Sequence, residues 1–293
     1  MMNSGMRFLL SLCCVWQITA PGAETPLPLW ESKPPKFLEN APPETVNTKG
    51  SIRNVSVPAI SLFLPDTNLS TGMAIIVCAG GGYGALDWTT HVVYAAQVFN
   101  RKGVAVIGLK YRLRPPNAGT NAQIQALTLL DAKRALRTVR HSAAEWHLDP
   151  HQIGIAGYSA GANLAMNLTA NFDTGDQRSP DPIERESSRP DFAIGLATWH
   201  WRDKISPFHF SKDAPPVFLV HATNDGIQGG APIEMPRAIK ADLEKLGVPV
   251  RMAEFAVGAH GVGNLIPQRV AHNFPPAKWP ELFLEWYQKL PPR

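Results

Sequence analysis

Cysteine is scarce in this chain: there are three in 293 residues, and two of them, Cys13 and Cys14, fall in the first twenty positions. If that leading segment is removed, Cys78 has no intramolecular partner, so no disulfide framework is available and stability must come from a packed core. Cys78 closes the apolar run Met73 to Cys78 and reads as a small core residue, with no motif beside it to make it a nucleophile. Charge of one sign is lacking too. The formal net charge is +4, from 28 basic and 24 acidic residues, and no block of like charges occurs, which argues against a nucleic-acid partner. No His-Glu-x-x-His or paired-cysteine spacing is found, nor a phosphate loop ending in Gly-Lys-Ser/Thr. Neither a metal nor a cofactor is therefore expected. The apolar run from Phe8 to Trp16 is too short for a bilayer span, so no stable membrane span is expected either.

What the chain has is enough apolar content, 44%, to bury a full core. Arg7, the run Phe8 to Trp16 and the small residues up to Ala23 follow one another as in a secretory signal peptide. Residues 1–23 are read that way, with cleavage after Ala20 or Ala23 and export to the periplasm or beyond; an N-terminal helix or a lipoprotein leader fits the order less well. From Pro21 to Pro43 seven prolines alternate with polar residues, so residues 24–50 are expected to form an extended lead-in. Residues 51–293 are expected to form one catalytic domain. There, strand-like runs (Val55 to Leu64, Met73 to Cys78, Val104 to Leu109, Ile153 to Ala156, Phe192 to Ala197, Val217 to His221, Val250 to Phe255) alternate with helix-like stretches. The helices are expected at His91 to Lys102, from about Asn121, after Ser159, at Pro232 to Leu246 and at Trp279 to Leu290. In the long helix from Asn121, Ala122, Ala126, Leu129, Ala132, Leu136 and Val139 form the expected apolar face, and Asp173 to Pro190 reads as an exposed loop. Such alternation predicts an α/β fold with a mainly parallel sheet covered on both faces.

Gly157-Tyr158-Ser159-Ala160-Gly161 sits between the run Ile153 to Ala156 and a helix-like segment, the strand, turn and helix setting of a nucleophile elbow. A serine hydroxyl needs a histidine to take its proton and a carboxylate to orient that histidine. Asp225, just past Val217 to His221, and His260, just past Val250 to Phe255, follow in the required chain order. Asp203 and Asp213 precede the strand-like run that should carry the acid, and Asp242 lies within a helix. Among the late histidines, His200, His209 and His272 lack the small-residue setting of Gly258-Ala259-His260-Gly261, and His221 reads as a packed strand-end residue. Upstream, Gly80-Gly81-Gly82 follows a buried strand; Gly81, Gly82 and Ala160 are the expected oxyanion donors.

These segments, with Lys110-Tyr111-Arg112-Leu113 and Asp131-Ala132-Lys133-Arg134-Ala135, resemble the α/β-hydrolase superfamily from about Met73 onward. Within it they resemble the bacterial carbohydrate-esterase-like group of acetyl xylan esterases and feruloyl-esterase-like proteins. The chain departs from lipase-type relatives at Ala79, where a histidine often precedes the glycines, at Ala162-Asn163 after the elbow, and at Asn224, where a second acid is often found. The resemblance implies that Asp131 is structural. It also implies a serine ester hydrolase deacetylating an acylated carbohydrate, which the leader read above would make an exported one. A general short-chain carboxylesterase, a peptidase of the same fold, and a non-catalytic binding protein on this scaffold are the competing readings. Tyr83 and Asp87 are candidates for the acyl side, and Trp88, Trp199 and Trp201 for stacking on a sugar ring, though an indole in such loops can equally serve packing.

Overall fold

Short apolar runs without alternation form strands buried on both faces, and here they build one large sheet. The computed structural model describes residues 26–114, 120–200, 208–226 and 230–291. Its main sheet has eight strands: β1 (Leu27–Pro28), β2 (Ala59–Phe63), β3 (Ala74–Cys78), β4 (Ala105–Lys110), β5 (Ile153–Tyr158), β6 (Ala193–Leu196), β7 (Val217–Ala222) and β8 (Val250–Phe255). Their spatial order is β1-β2-β4-β3-β5-β6-β7-β8. β2 runs antiparallel to β1 and β4, and every neighbouring pair from β4 to β8 is parallel. β1 and β2 form one edge and the parallel strands from β3 onward wind out from the middle, so the loops after β3 and β5 meet near the centre of the sheet, while those after β7 and β8 lie toward the other edge.

The helices are α1 (Tyr94–Asn100), α2 (Asn121–His141), α3 (Ala160–Asn171), α4 (Glu234–Lys245), α5 (Pro267–Ala271) and α6 (Trp279–Tyr287). α2 starts at a capping box in which the Thr120 hydroxyl accepts from Gln123 N–H and the Gln123 side chain accepts from Thr120 N–H. Its buried face departs from the expected one in the first turns. Ala122 and Ala126 are exposed, and Ile124, Leu127, Thr128 and Asp131 are buried instead, joining Ala132, Leu136 and Val139 further on. Asp131 is buried beside the wholly buried Arg112, whose Nη2 donates to Asp131 Oδ1 at 2.6 Å, so charge lies on the covered face. Asp131 is thus structural, as the resemblance implied.

The segment 173–190 is not a free loop. Arg134, Arg137 and Arg140, projecting from α2, bind Asp181, Glu184, Asp173 and Asp191, and a short 3-10 turn forms at Pro182–Arg185. The proline-rich lead-in is also tied down. Leu27 pairs with Ile60, Leu29 is buried, and the Trp30 ring lies 5.8 Å from the Arg112 guanidinium and 5.7 Å from that of Arg134. No helix among the described residues is long and apolar enough to cross a membrane.

Candidate active site

Strand β5 ends at Tyr158 and α3 begins at Ala160, which leaves Ser159 alone at the reversal with φ 52° and ψ −114°. For a residue with a side chain this left-handed conformation is strained by about 1–3 kcal/mol and persists only where neighbours enforce it. Two glycines allow the enforcement. A Cβ on Gly157 would stand 2.0 Å from Gly161 O, and one on Gly161 would stand 2.1 Å from Cys78 O, so strand and helix meet closer than any side chain permits. Ser159 N–H donates to Leu196 O (2.9 Å) and Asn163 N–H donates to Ser159 O (3.0 Å), which anchors both sides of the turn. Ala160 opens α3, so its N–H is one of the first-turn donors that lack an intrahelical acceptor.

The loop after β3 is held peptide by peptide. Tyr111 Oη donates to Ala79 O (2.6 Å), Gly80 N–H donates to His91 Nδ1 (3.1 Å), and Asp87 N–H donates to Gly80 O (2.9 Å). Gly81 O accepts from Gly84 N–H (3.0 Å) and Ala85 N–H (3.1 Å). In a trans peptide the N–H points opposite to the C=O, so fixing Gly80 O and Gly81 O fixes the directions of the Gly81 and Gly82 N–H groups. Gly81 has φ 141° and no room for a Cβ, which would fall 2.1 Å from Ala85 O. Gly81 and Gly82 are exposed, and the buried Gly80 before them lies against the elbow, for a Cβ on Gly80 would come 3.2 Å from Ser159 Cβ. Donors of this kind can hold a developing oxyanion.

Asp225 and His260 come to Ser159 from the sheet edge. Ser159 Oγ lies 2.7 Å from His260 Nε2, and His260 Nδ1 lies 2.9 Å from Asp225 Oδ2. A carboxylate only accepts, so Nδ1 carries the proton and Nε2 is free to receive that of the serine. Asp225 Oδ1 accepts from Gly226 N–H (2.8 Å) and Ala231 N–H (3.2 Å), and its side chain is 1% exposed against 40% for His260. Beneath it, buried His221 has Nε2 at 2.9 Å from Ala231 O and 3.5 Å from Asp225 Oδ2. Burial lowers the His221 pKa, against the pull of the Ala231 carbonyl and of Asp225. A neutral His221 leaves the Asp225 charge to face His260.

The other anticipated positions divide. Tyr83 is wholly buried and its hydroxyl donates to Asn163 Oδ1 (2.8 Å), so it supports the loop from beneath and does not line the acyl side. Asp87 is half-buried and meets the glycine loop through its backbone. Trp88 is half-buried, with its ring edge 2.6 Å from where a Cβ on Gly108 would stand, so it packs on β4. Trp199 is half-buried beyond β6, whereas Trp201 and Asp203 lie outside the described residues. Asp213, His209 and His272 are exposed, Asp242 is on α4 and His200 is buried. Two contacts had no sequence signal: His91 on the glycine loop, and Asn224, whose Oδ1 accepts from Ala259 N–H (2.9 Å) and ties the acid loop to the histidine loop.

Residues 60–196 match the BD-FAE family model. Over 107 residues the chain is 34% identical to an acetylxylan esterase of Xylanibacter ruminicola, covering 36% of this chain and 20% of that protein. It is 26% identical over 206 residues to a probable carboxylic ester hydrolase of Mycobacterium tuberculosis, covering 58% of this chain and 45% of that one. The chain spans between 20% and 45% of the length of the curated relatives it matches. Among solved structures, an acetyl ester-xyloside bifunctional hydrolase from Caldicellulosiruptor lactoaceticus superposes with a TM-score of 0.70 at 26% identity, covering 90% of this chain and 95% of that one. Esterase 2 of Thermogutta terrifontis, at a TM-score of 0.66, 22% identity and coverage of 95% and 99%, shares the fold. Sheet order, elbow geometry and the matching solved structures together give the chain the α/β-hydrolase fold.

Proposed function

We propose that this chain is an exported serine hydrolase that removes small acyl groups, acetyl foremost, from soluble acylated carbohydrate. The observation that carries the reading is the pair of hydrogen bonds linking Asp225, His260 and Ser159 at 2.9 and 2.7 Å, beside a glycine loop whose peptides are individually held. In this mechanism Ser159 Oγ attacks the ester carbonyl as its proton passes to His260 Nε2, and Asp225 stabilises the imidazolium. The tetrahedral oxyanion is received by N–H groups of Gly81, Gly82 and Ala160, each worth on the order of 10²- to 10³-fold in rate. His260 then gives its proton to the leaving alcohol. Water, activated by the same imidazole, releases the acid from the acyl-serine and restores the enzyme.

The likeness to an acetylxylan esterase and to an acetyl ester-xyloside hydrolase supports the choice of acyl group and sugar. The ordered charged, apolar and small-residue regions of residues 1–23 support export. Hydrolysis of acetylated xylan and acetylated xylose, compared with feruloyl esters, p-nitrophenyl esters of rising chain length and aminoacyl amides, tests the substrate. Acetylated sugars should give the highest kcat/KM. A preference for longer acyl chains or for amides rejects this reading in favour of a general carboxylesterase or a peptidase. Intact-mass analysis of protein from its own host should find an N-terminus near Pro21 or Glu24, and a full-length or lipid-modified chain overturns the export proposal.

A further inference from the structure

His91 has no part in the relay, yet it touches the segments that build it. It belongs to a turn of π-helix, Thr89–Val93, a wide turn that often marks functional sites. Its Nδ1 accepts from Gly80 N–H at 3.1 Å, and its ring stacks on Tyr158, the residue before the nucleophile, with centroids 4.2 Å apart and planes inclined by 18°. The side chain of Asn264, three residues past the short helical turn that carries His260, lies beside the same ring and draws its pKa upward. The glycine loop, the elbow and the histidine loop thus converge on one imidazole.

The direction of the Gly80 bond fixes the state of that ring. A backbone N–H can only donate, so Nδ1 must be unprotonated and the single ring proton must sit on Nε2. We infer that His91 is a positioning residue, a neutral imidazole that holds the oxyanion loop in register with the nucleophile and the histidine loop. The inference rests on the ester-hydrolase reading above. Among the described residues, His91 is the one acceptor for the N–H of the Ala79–Gly80 peptide, whose carbonyl is held by Tyr111. Gly80 is buried, so a lost acceptor leaves a donor that water cannot easily reach, and the next two peptides, which carry the Gly81 and Gly82 donors, hang from that one.

Burial pushes the His91 pKa down to about 4, with Asp87 and Asn264 pulling it up and His260 pushing it further down. The titratable groups facing it are Asp87 on its own segment, His260 across the site and Tyr158 under its face. Gly80 N–H therefore retains its acceptor throughout the range in which a triad histidine works as a base.

Two variants separate the acceptor from the ring. His91→Phe keeps an aromatic plane for Tyr158 and removes the acceptor, and His91→Gln gives up the plane but can return an acceptor oxygen to Gly80 N–H. With p-nitrophenyl acetate, His91→Phe should lower kcat by roughly 10- to 100-fold, as expected for one buried donor left unpaired, with KM within about 2-fold of wild type. His91→Gln should recover most of that loss. Wild-type kcat in His91→Phe, or equal kcat losses in both variants, overturns the inference. A wild-type enzyme that hydrolyses no ester at all defeats the proposed function instead. Should His91→Phe fail to fold, imidazole ¹⁵N spectra of the wild type decide: a neutral His91 protonated at Nε2 from pH 8 to pH 5 agrees, and a charged ring or an Nδ1 proton at pH 6 contradicts it.

Discussion

The two halves of the site are built on different ground. Ser159 and the glycine loop follow β5 and β3, adjacent central strands whose residues are all buried, whereas Asp225 follows β7, buried but next to the sheet edge, and His260 follows the edge strand β8, none of whose residues is buried. In the centre, position is dictated by backbone in contact with backbone: Gly157 against Gly161, Gly161 against Cys78, Gly81 against Ala85. At the edge it is dictated by single hydrogen bonds from loops, Asn224 to Ala259 and Gly226 and Ala231 to Asp225. The centre should therefore fail by losing the fold, and the edge by losing rate from a folded protein.

The relay itself should give the largest losses. Ser159→Ala and His260→Ala should each reduce kcat by on the order of 10⁴-fold or more, and Asp225→Asn by about 10⁴-fold, with unchanged circular dichroism. The double variant Ser159→Ala/His260→Ala should be no worse than either single one, because the groups act as a unit. Gly230→Ala comes next. Its new Cβ would stand 1.8 Å from Asp225 Oδ1, so the carboxylate must shift, and a displacement of that order should cost roughly 10²-fold in kcat while the urea midpoint stays near wild type. Gly161→Ala is its counterpart in the centre. Backbone meets the new methyl group, and unfolding free energy should fall by about 3 kcal/mol or more, read by urea titration. Similar stability losses at Gly230 and Gly161 would break the comparison.

Smaller effects sharpen it. Asn224→Ala removes one hydrogen bond to the histidine loop and should lower kcat by roughly 5-fold, about 1 kcal/mol, with KM unaffected. Far from both halves, burial raises the Asp173 pKa, but Lys133, Gly175 N–H and Arg137 outweigh it and hold the carboxyl below its ordinary value. A folded pKa below the unfolded one means that the stabilisation is full above the ordinary carboxylate range, about pH 4, and is lost as pH falls through the lowered value. The urea-midpoint deficit of Asp173→Asn should therefore be present at pH 6 and shrink below pH 4.

The same contrast governs what could be read in the amino-acid sequence. Gly157 to Gly161 is legible because one short local geometry needs small residues around a serine in consecutive positions. Asp225 and His260 were legible only through topology, as residues following the right strands. The apolar face of α2 differs from the expected one in its first turns, where Ala122 and Ala126 face solvent and Ile124 and Leu127 are buried, and further on the buried Asp131 with Arg112 puts charge where periodicity expects hydrocarbon. Segment 173–190 has the composition of a loop, and its order comes from three arginines on a helix distant in sequence. Tyr83 reads as a binding residue beside the glycines, but it is wholly buried, with its hydroxyl on Asn163 and its ring edge-on to Tyr111. His91 could not be found, since its partner is a backbone N–H eleven residues away.

The central claim is that Ser159 is the one activated nucleophile, and a fluorophosphonate label tests it most directly. After peptide mapping the adduct should lie on Ser159 alone, should be absent from Ser159→Ala, and should form far more slowly in Asp225→Asn at equal protein concentration. Labelling of another residue, or undiminished labelling in Asp225→Asn, would contradict the account.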